Sequence, residues 1–286
     1  MNGGSNYCRT LWALIFCGLA LPLLWFLPAE AANQEYRLRV SQQQEAFQDL
    51  DDVRAEIAFG REVAAHLLGQ YGLYDDEEMT RYVTLVGQGL ILYCGRPDLE
   101  YHFAILDRDE PNAFAAPGGY VFVTRGALAV MTDESELAAV LGHEIGHINE
   151  KHIVHELKIR GREEQGGALL SSLIGGTTDP MRVAFSQMVD IATDILLKRG
   201  YKQEDEETAD RLGVTIPAMT GYDPTAMIRF LNTLSARADS TTAPVLGTHR
   251  ANAVRISELK EFLHDNDLVE KSSNTLQERF AAHVRF

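Results

Sequence analysis

Apolar residues return every third or fourth position from Asp51 to Tyr71 and again from Asp75 to Tyr93, which predicts two amphipathic helices. The pattern then changes. Tyr101 to Leu106 and Gly119 to Thr124 concentrate aromatic and β-branched residues and are separated by Pro111, Pro117 and the Gly118-Gly119 pair, so they read as two strands around an irregular loop. Thr132-Asp133-Glu134-Ser135-Glu136 next supplies cap residues and first-turn acids, and Leu137, Val140, Leu141, Ile145 and Ile148 follow at helical spacing as a buried stripe. Residues 166–178 are glycine-rich with a short apolar core from Ala168 to Ile174, too short for a bilayer and read as a mobile lid or crossing over a cleft. Val183, Phe185, Met188, Ile191, Ile195 and Leu196 mark a helix from Pro180 to Leu197. Asp223-Pro224 then offers a cap and a first-turn proline for a helix to about Leu234. The class expected is α+β: mainly helical, with a small β-sheet next to the helix that follows Thr132.

That helix carries the chemistry. Residues 143–147 read His143-Glu144-Ile145-Gly146-His147, an HExxH motif. At about 100° per residue, positions four apart lie about 40° from each other, so both imidazoles can face one metal ion. Zinc held by two histidines, a third protein ligand and a water brings the water's pKa to about 7, and Glu144 is placed to take its proton during attack on a carbonyl. Two histidines and a glutamate also fall at this spacing by chance, and the helix start signals upstream are what turn the motif into an expectation of one Zn2+ per chain.

A third ligand is required. The HExxHxxGxxH layout is excluded, because Asn149 stands where the glycine belongs and Ile153 at the ligand position. The alternative is a glutamate from a second helix, and Glu206 and Asp210, four apart in Glu204-Asp205-Glu206-Glu207-Thr208-Ala209-Asp210, share a face. Glu206 is assigned to the metal, and Asp210 to accepting an N–H from His143 and so fixing its tautomer. Glu204, Asp205 and Glu207 fall off that face and read as a solvated helix N-terminus.

The set formed by Asp109-Glu110-Pro111-Asn112-Ala113-Phe114-Ala115-Ala116-Pro117-Gly118-Gly119-Tyr120, the HExxH helix and Glu206 to Asp210 resembles the HtpX-like family of zinc metalloproteases, over about Ile57 to Leu259. Within it the chain is similar to periplasmic members of the barrel-assembly-enhancing type. The resemblance implies a zincin-type domain in which His143, His147 and Glu206 bind zinc and Glu144 is the catalytic base. Two departures stand out: Gln203, beside Lys202, replaces the arginine usual three positions before the third ligand, and Arg250 replaces a proline after His249. The resemblance places His249, in Gly247-Thr248-His249-Arg250 with Arg255 downstream, near the metal, either stabilising the oxyanion or filling the open coordination position. Without its proline the loop is expected to be more mobile. His152, half a turn out of phase on a straight helix, and His155, too far along it, are read as structural or surface histidines.

An edge strand at Asn112, Ala113, Phe114 and Ala115 would bind an extended substrate through backbone hydrogen bonds, with broad sequence tolerance. The competing reading has Asn112 in a turn and Phe114 in the core.

Targeting and charge locate this chemistry. Arg9 precedes an apolar run from Leu11 to Phe26, and Ala29-Glu30-Ala31 follows as a cleavage pattern, so residues 1–31 read as a secretory signal and the periplasm as the destination. An uncleaved inner-membrane anchor is the lesser alternative. Cleavage would remove Cys8 and Cys17, leaving Cys94 without an intrachain disulfide partner. The organisation expected is an N-terminal extension over 32–50, a protease domain over 51–262 and a helical tail over 263–286, with no stable membrane span after processing. No repeat of about 34 residues follows the protease region, so a tetratricopeptide array is not expected. The net charge of −15 disfavours nucleic acid and anionic membrane surfaces as partners.

Three classes of function follow: a zinc endopeptidase acting on misfolded or misassembled cell-envelope proteins, the substrates that the resemblance implies; a chaperone-like assembly factor whose zinc site is held inactive by His249; and a helical structural protein without metal.

Overall fold

The computed structural model describes residues 50–159, 179–240, 249, 251–268 and 274–286. The leader, nearly all of the extension, the glycine-rich segment 166–178, and Gly247, Thr248 and Arg250 lie outside the described residues.

Helix α1, Leu50–Tyr71, buries Phe59, Val63 and Leu67, spaced four apart on one face. Helix α2, Glu77–Ile91, starts at Asp76, whose side chain accepts from Met79 N at 2.8 Å, and buries Met79, Tyr82, Val83, Val86 and Leu90. Three strands follow: β1 His102–Leu106, β2 Ala113–Ala116 and β3 Tyr120–Thr124. The sheet runs β1-β3-β2, with β1 parallel and β2 antiparallel to β3, Phe114 opposite Phe122. The loop expected to be irregular thus contains an edge strand. Its turn needs glycine: Gly119 has φ +100, and a Cβ there would lie 2.2 Å from Glu100 O.

After the short helix α3, Arg125–Val130, comes α4, Glu134–Asn149, which carries the motif. Asp133 caps it, accepting from Glu136 N at 3.0 Å. The expected single buried stripe is corrected here: every residue of α4 is buried, because α2, the sheet and later helices enclose it on all sides. At its far end Arg96, 1% exposed, bridges to Glu56 (2.9 Å) and donates to Ile148 O at 3.2 Å, a second donor to a terminal carbonyl that also accepts from Lys151 N at 3.1 Å.

Lys151, in left-handed backbone at φ 55, separates α4 from α5, His152–Leu157. Helix α6, Asp179–Asp194, passes into a π-helical turn, Ile195–Arg199, closed by Gly200 at φ 72. Helix α7, Gln203–Met219, then crosses α4 closely. A Cβ on Gly213 would sit 3.1 Å from both Ala139 O and His143 Cβ, and one on Gly146 would sit 3.2 Å from Ala209 Cα, so small residues bring α7's acids to the motif.

Helix α8, Ala226–Ser240, starts two residues later than expected, because Asp223 Oδ1 accepts from Thr225 N (2.9 Å) in a turn before the helix. It also runs past the expected end at Leu234. Helix α9, Asn252–Asp265, spans residue 262, and α10, Gln277–His283, packs on α2 and the start of α4 through buried Phe280. No helix among the described residues is long and apolar enough to cross a membrane.

Candidate metal centre and active site

One turn of α4 puts His143 Nε2 3.1 Å from His147 Nε2. Glu206, from the first turn of α7, brings Oε2 to 3.9 Å from His143 Nε2 and Oε1 to 3.7 Å from His147 Nε2. His249 Nδ1 stands 2.9 Å from both Glu206 oxygens. One ligand atom from each of the four lies within 4.8 Å of the others. Two nitrogens bound to one tetrahedral zinc at about 2.0–2.1 Å would stand about 3.3 Å apart, so the donor set and its spacing fit such an ion.

The far sides of the two imidazole rings are held as well. His143 Nδ1 lies 3.0 Å from Asp210 Oδ1, where a small ring rotation completes a hydrogen bond, and no other partner meets it among the described residues. Asp210 is itself clamped by buried Arg255, whose Nε and Nη2 donate at 2.9 and 2.5 Å. His147 Nδ1 contacts His152 Nδ1 at 2.7 Å, and the Tyr201 ring stacks on His147 with centroids 3.8 Å apart. The π-helical turn and Gly200 set Tyr201 there, and its hydroxyl reaches back to Ala115 O at 3.4 Å.

Burial raises the pKa of Glu144, with His143 and His249 pulling the other way. Burial lowers His147 strongly and holds His152 down to about 4, so both rings are neutral near pH 7. At Glu206 burial, the largest influence, pushes upward, but His249, by charge and hydrogen bond, together with the charges of His143 and Arg255, outweighs it and the carboxyl titrates below its ordinary value. For His249 burial pulls downward, and Glu206 reverses the sign. Burial, the largest influence, likewise opposes ionisation of Asp210, but Arg255 and His143 together hold it far below the usual carboxylate range.

Glu144, 2% exposed, opens onto a cavity of ≈30 Å3 shared with Asn112, Ala113, His143, His249, Met227 and Phe230. That space has room for water.

The structure therefore gathers His143, Glu144, His147, Glu206, Asp210 and His249 in one place. Of the edge segment, only Asn112 and Ala113 reach the cavity. Phe114 stacks on Tyr71 at 6.0 Å within the core, as its alternative reading held. Ala115 points its carbonyl at Tyr201. Gln203 bonds Glu207 on the surface, and Lys202 pairs with Glu156, so neither touches the site.

The placement of His152 corrects the straight-helix argument: the break at Lys151 folds it back onto His147. Asp205 departs from the solvated reading, with Oδ1 3.6 Å from His152 Nε2. His155 is exposed, in keeping with the surface reading. Tyr201 was not singled out in the sequence; the one available signal was its place after Gly200, just before the acidic helix.

Residues 77–263 match the profile of Peptidase family M48. The chain is similar to the beta-barrel assembly-enhancing protease of Escherichia coli (strain K12), 29% identical over 210 residues, which is 72% of this chain and 43% of that protein. It is similar to that of Yersinia pestis at 28% over 213 residues, with the same coverage. It also resembles the mitochondrial metalloendopeptidase OMA1 of Schizosaccharomyces pombe, 26% identical over 205 residues, covering 70% of this chain and 57% of that protein. The chain spans less than half the length of the two bacterial relatives.

Proposed function

This chain belongs to Peptidase family M48, and we propose that it is a zinc-dependent endopeptidase that hydrolyses peptide bonds in unfolded or misassembled cell-envelope proteins. One observation carries the reading: His143, His147 and Glu206 converge on a single point beside the buried carboxylate of Glu144. A zinc ion held there would polarise the scissile carbonyl and bring the pKa of a water beside it to about 7. Glu144 takes the proton from the attacking water and delivers it to the leaving amine, a task helped by a carboxyl whose pKa burial has raised. Asp210, clamped by Arg255, holds the plane of His143.

The extended substrate lies along the β2 edge at Asn112 and Ala113. Since the pairing alternates and Asn112 O serves β3, Ala113 and Ala115 turn their backbone groups outward. Ala113 N already donates to Asn112 Oδ1 and Ala115 O already accepts from Tyr201 OH, so substrate must displace these contacts to pair with the edge. Envelope substrates and a periplasmic site of action are supported by the signal-like residues 1–31 and by relatives named for β-barrel assembly. The leader, the protease domain over 51–262 and the tail over 263–286 complete the proposed organisation.

The second reading, an assembly factor with an inhibited metal site, is favoured by His249, which stands among the ligand atoms and bonds Glu206. Zinc content and cleavage of an unfolded protein, measured for the parent and Glu144→Gln, test the proposal. Zinc in both with cleavage by the parent alone is the expected outcome, with a loss of about 100-fold or more in the variant. Equal cleavage by both overturns the mechanism. Zinc in both with cleavage by neither supports the inhibited site and makes His249→Ala the next variant.

A further inference from the structure

Behind His147 lies a second imidazole that sequence periodicity had turned away. Helix α4 ends at Asn149, Lys151 reverses the chain through φ 55, and His152 returns over His147 with ring centroids 4.9 Å apart and planes at 73°. The two Nδ1 atoms approach to 2.7 Å in a buried setting. At that distance one nitrogen must carry the proton and the other the lone pair.

The direction is fixed by the metal-facing side. His147 Nε2 belongs to the ligand cluster, so it must be bare, and the proton of the neutral ring sits on Nδ1. His147 therefore donates and His152 accepts. The proton of His152 then sits on Nε2, which faces Asp205 Oδ1 at 3.6 Å, one residue ahead of Glu206. That distance is within ion-pair range and beyond a direct hydrogen bond, so a slight ring rotation or a bridging water completes the contact.

We infer that His152, steadied by Asp205, is a positioning residue that fixes the tautomer and ring plane of His147 for the metal. The two histidines of the motif thus have different supports. His143 leans on a carboxylate neutralised by Arg255, whereas His147 leans on a neutral ring. The neutral support avoids a further buried carboxylate in a region that already holds Glu144, Glu206 and Asp210. It also ties the position of α5 to the motif, and α7 supplies both the ligand Glu206 and the outer carboxylate Asp205.

This inference rests on the metalloprotease reading and is tested apart from catalysis. Zinc affinity is measured by competition with a chromophoric chelator, and the visible absorption bands of the Co2+-substituted protein are recorded, for the parent, His152→Leu, His152→Gln and Asp205→Asn. Leucine fills the space but cannot accept a hydrogen bond; it is expected to weaken zinc binding by about 10- to 100-fold and to shift the cobalt bands. The amide oxygen of glutamine can accept from His147 Nδ1–H, and His152→Gln is expected to keep zinc affinity within about threefold of the parent. Asp205→Asn should fall between them.

Parent-like zinc affinity and cobalt bands in His152→Leu overturn the inference, as does a loss in His152→Gln equal to that of leucine. If the leucine chain does not fold, Asp205→Asn decides, and unchanged affinity and spectrum there overturn the inference too. A parent chain that takes up no zinc overturns the metalloprotease reading and this one with it.

Discussion

Glu134 and Glu206 both have side chains with 0% exposure, and both titrate below the ordinary glutamate value although burial, the largest single influence on each, pushes upward. Their surroundings differ. Glu134, at the start of α4, receives Tyr82 OH at 2.7 Å, Tyr222 OH at 2.6 Å and both Nε and Nη2 of Arg279, so each oxygen is met by donors from the protein itself. The Glu206 carboxylate has one hydrogen-bonding partner among the described residues, His249, and its other neighbours are two imidazole nitrogens at 3.7 and 3.9 Å. A buried carboxylate fully met by donors holds a fold together. One set among nitrogen lone pairs calls for a cation.

Removing the metal should give the largest effect. With zinc at about a thousandfold over its Kd, binding to the folded state alone contributes about 4 kcal/mol, so a chelator should lower the urea midpoint accordingly. Glu206→Gln should abolish that zinc-dependent shift, whereas Glu134→Gln should keep it from a lower starting stability. A full chelator-sensitive shift in Glu206→Gln would remove the contrast between the two sites.

Next in size is the metal-free comparison of leucine variants. Glu134→Leu leaves two tyrosine hydroxyls without their acceptor, at about 1–3 kcal/mol each, and a loss of about 3 kcal/mol is expected. Glu206→Leu discards a desolvated charge with few donors and should lie within about 1 kcal/mol of the metal-free parent. Urea titrations in chelator decide the point, and equal losses in the two variants would show that Glu206 is structural.

A smaller effect tests how α7 is brought to the motif. Gly213→Ala places a methyl 3.1 Å from Ala139 O and His143 Cβ, groups that shift only if the helices separate, and should cost about 1–3 kcal/mol while weakening zinc binding. Gly89→Ala, in α2 with nothing within 4 Å of the new Cβ, should instead stabilise the chain by about 0.5–1 kcal/mol. If both changes act alike, the close crossing of α4 and α7 does not set the metal geometry.

What the sequence made legible was carried on single helices. His143 with His147, and Glu206 with Asp210, are pairs four apart, so helical geometry alone puts each pair on one face, and Asp133 announces its helix by a local cap. The Glu134 cluster could not be read that way, since Tyr82, Tyr222 and Arg279 come from three distant segments that only packing unites. His152 was misplaced because periodicity assumes an unbroken helix, and the break sits at a lysine in left-handed backbone, which no local residue signal marks. Phe114 showed the limit from the other side: a strand residue next to the site belongs to the core because alternate side chains of a strand face opposite ways.

The smallest predicted effect concerns the outer edge of the Glu134 cluster. Arg279 is 52% exposed, so water screens its pair with Glu134, and Arg279→Gln should cost about 1 kcal/mol or less at neutral pH. The sign of its pH dependence follows from the carboxylate. Glu134 titrates lower in the folded chain than in the unfolded one, where its pKa is about 4.3, so its ion pairing stabilises above that value and is lost as pH falls through the lowered folded pKa. The parent and Arg279→Gln should therefore differ in urea midpoint at pH 7, less at high salt, and converge toward pH 3. Zinc content should not change, because Arg279 grips α4 at its first turn while His143 and His147 lie beyond its second. A difference that stays flat with pH would assign Arg279 to packing, through its neighbour Phe280 against Tyr82, and would leave the two hydroxyls alone to hold Glu134 ionised.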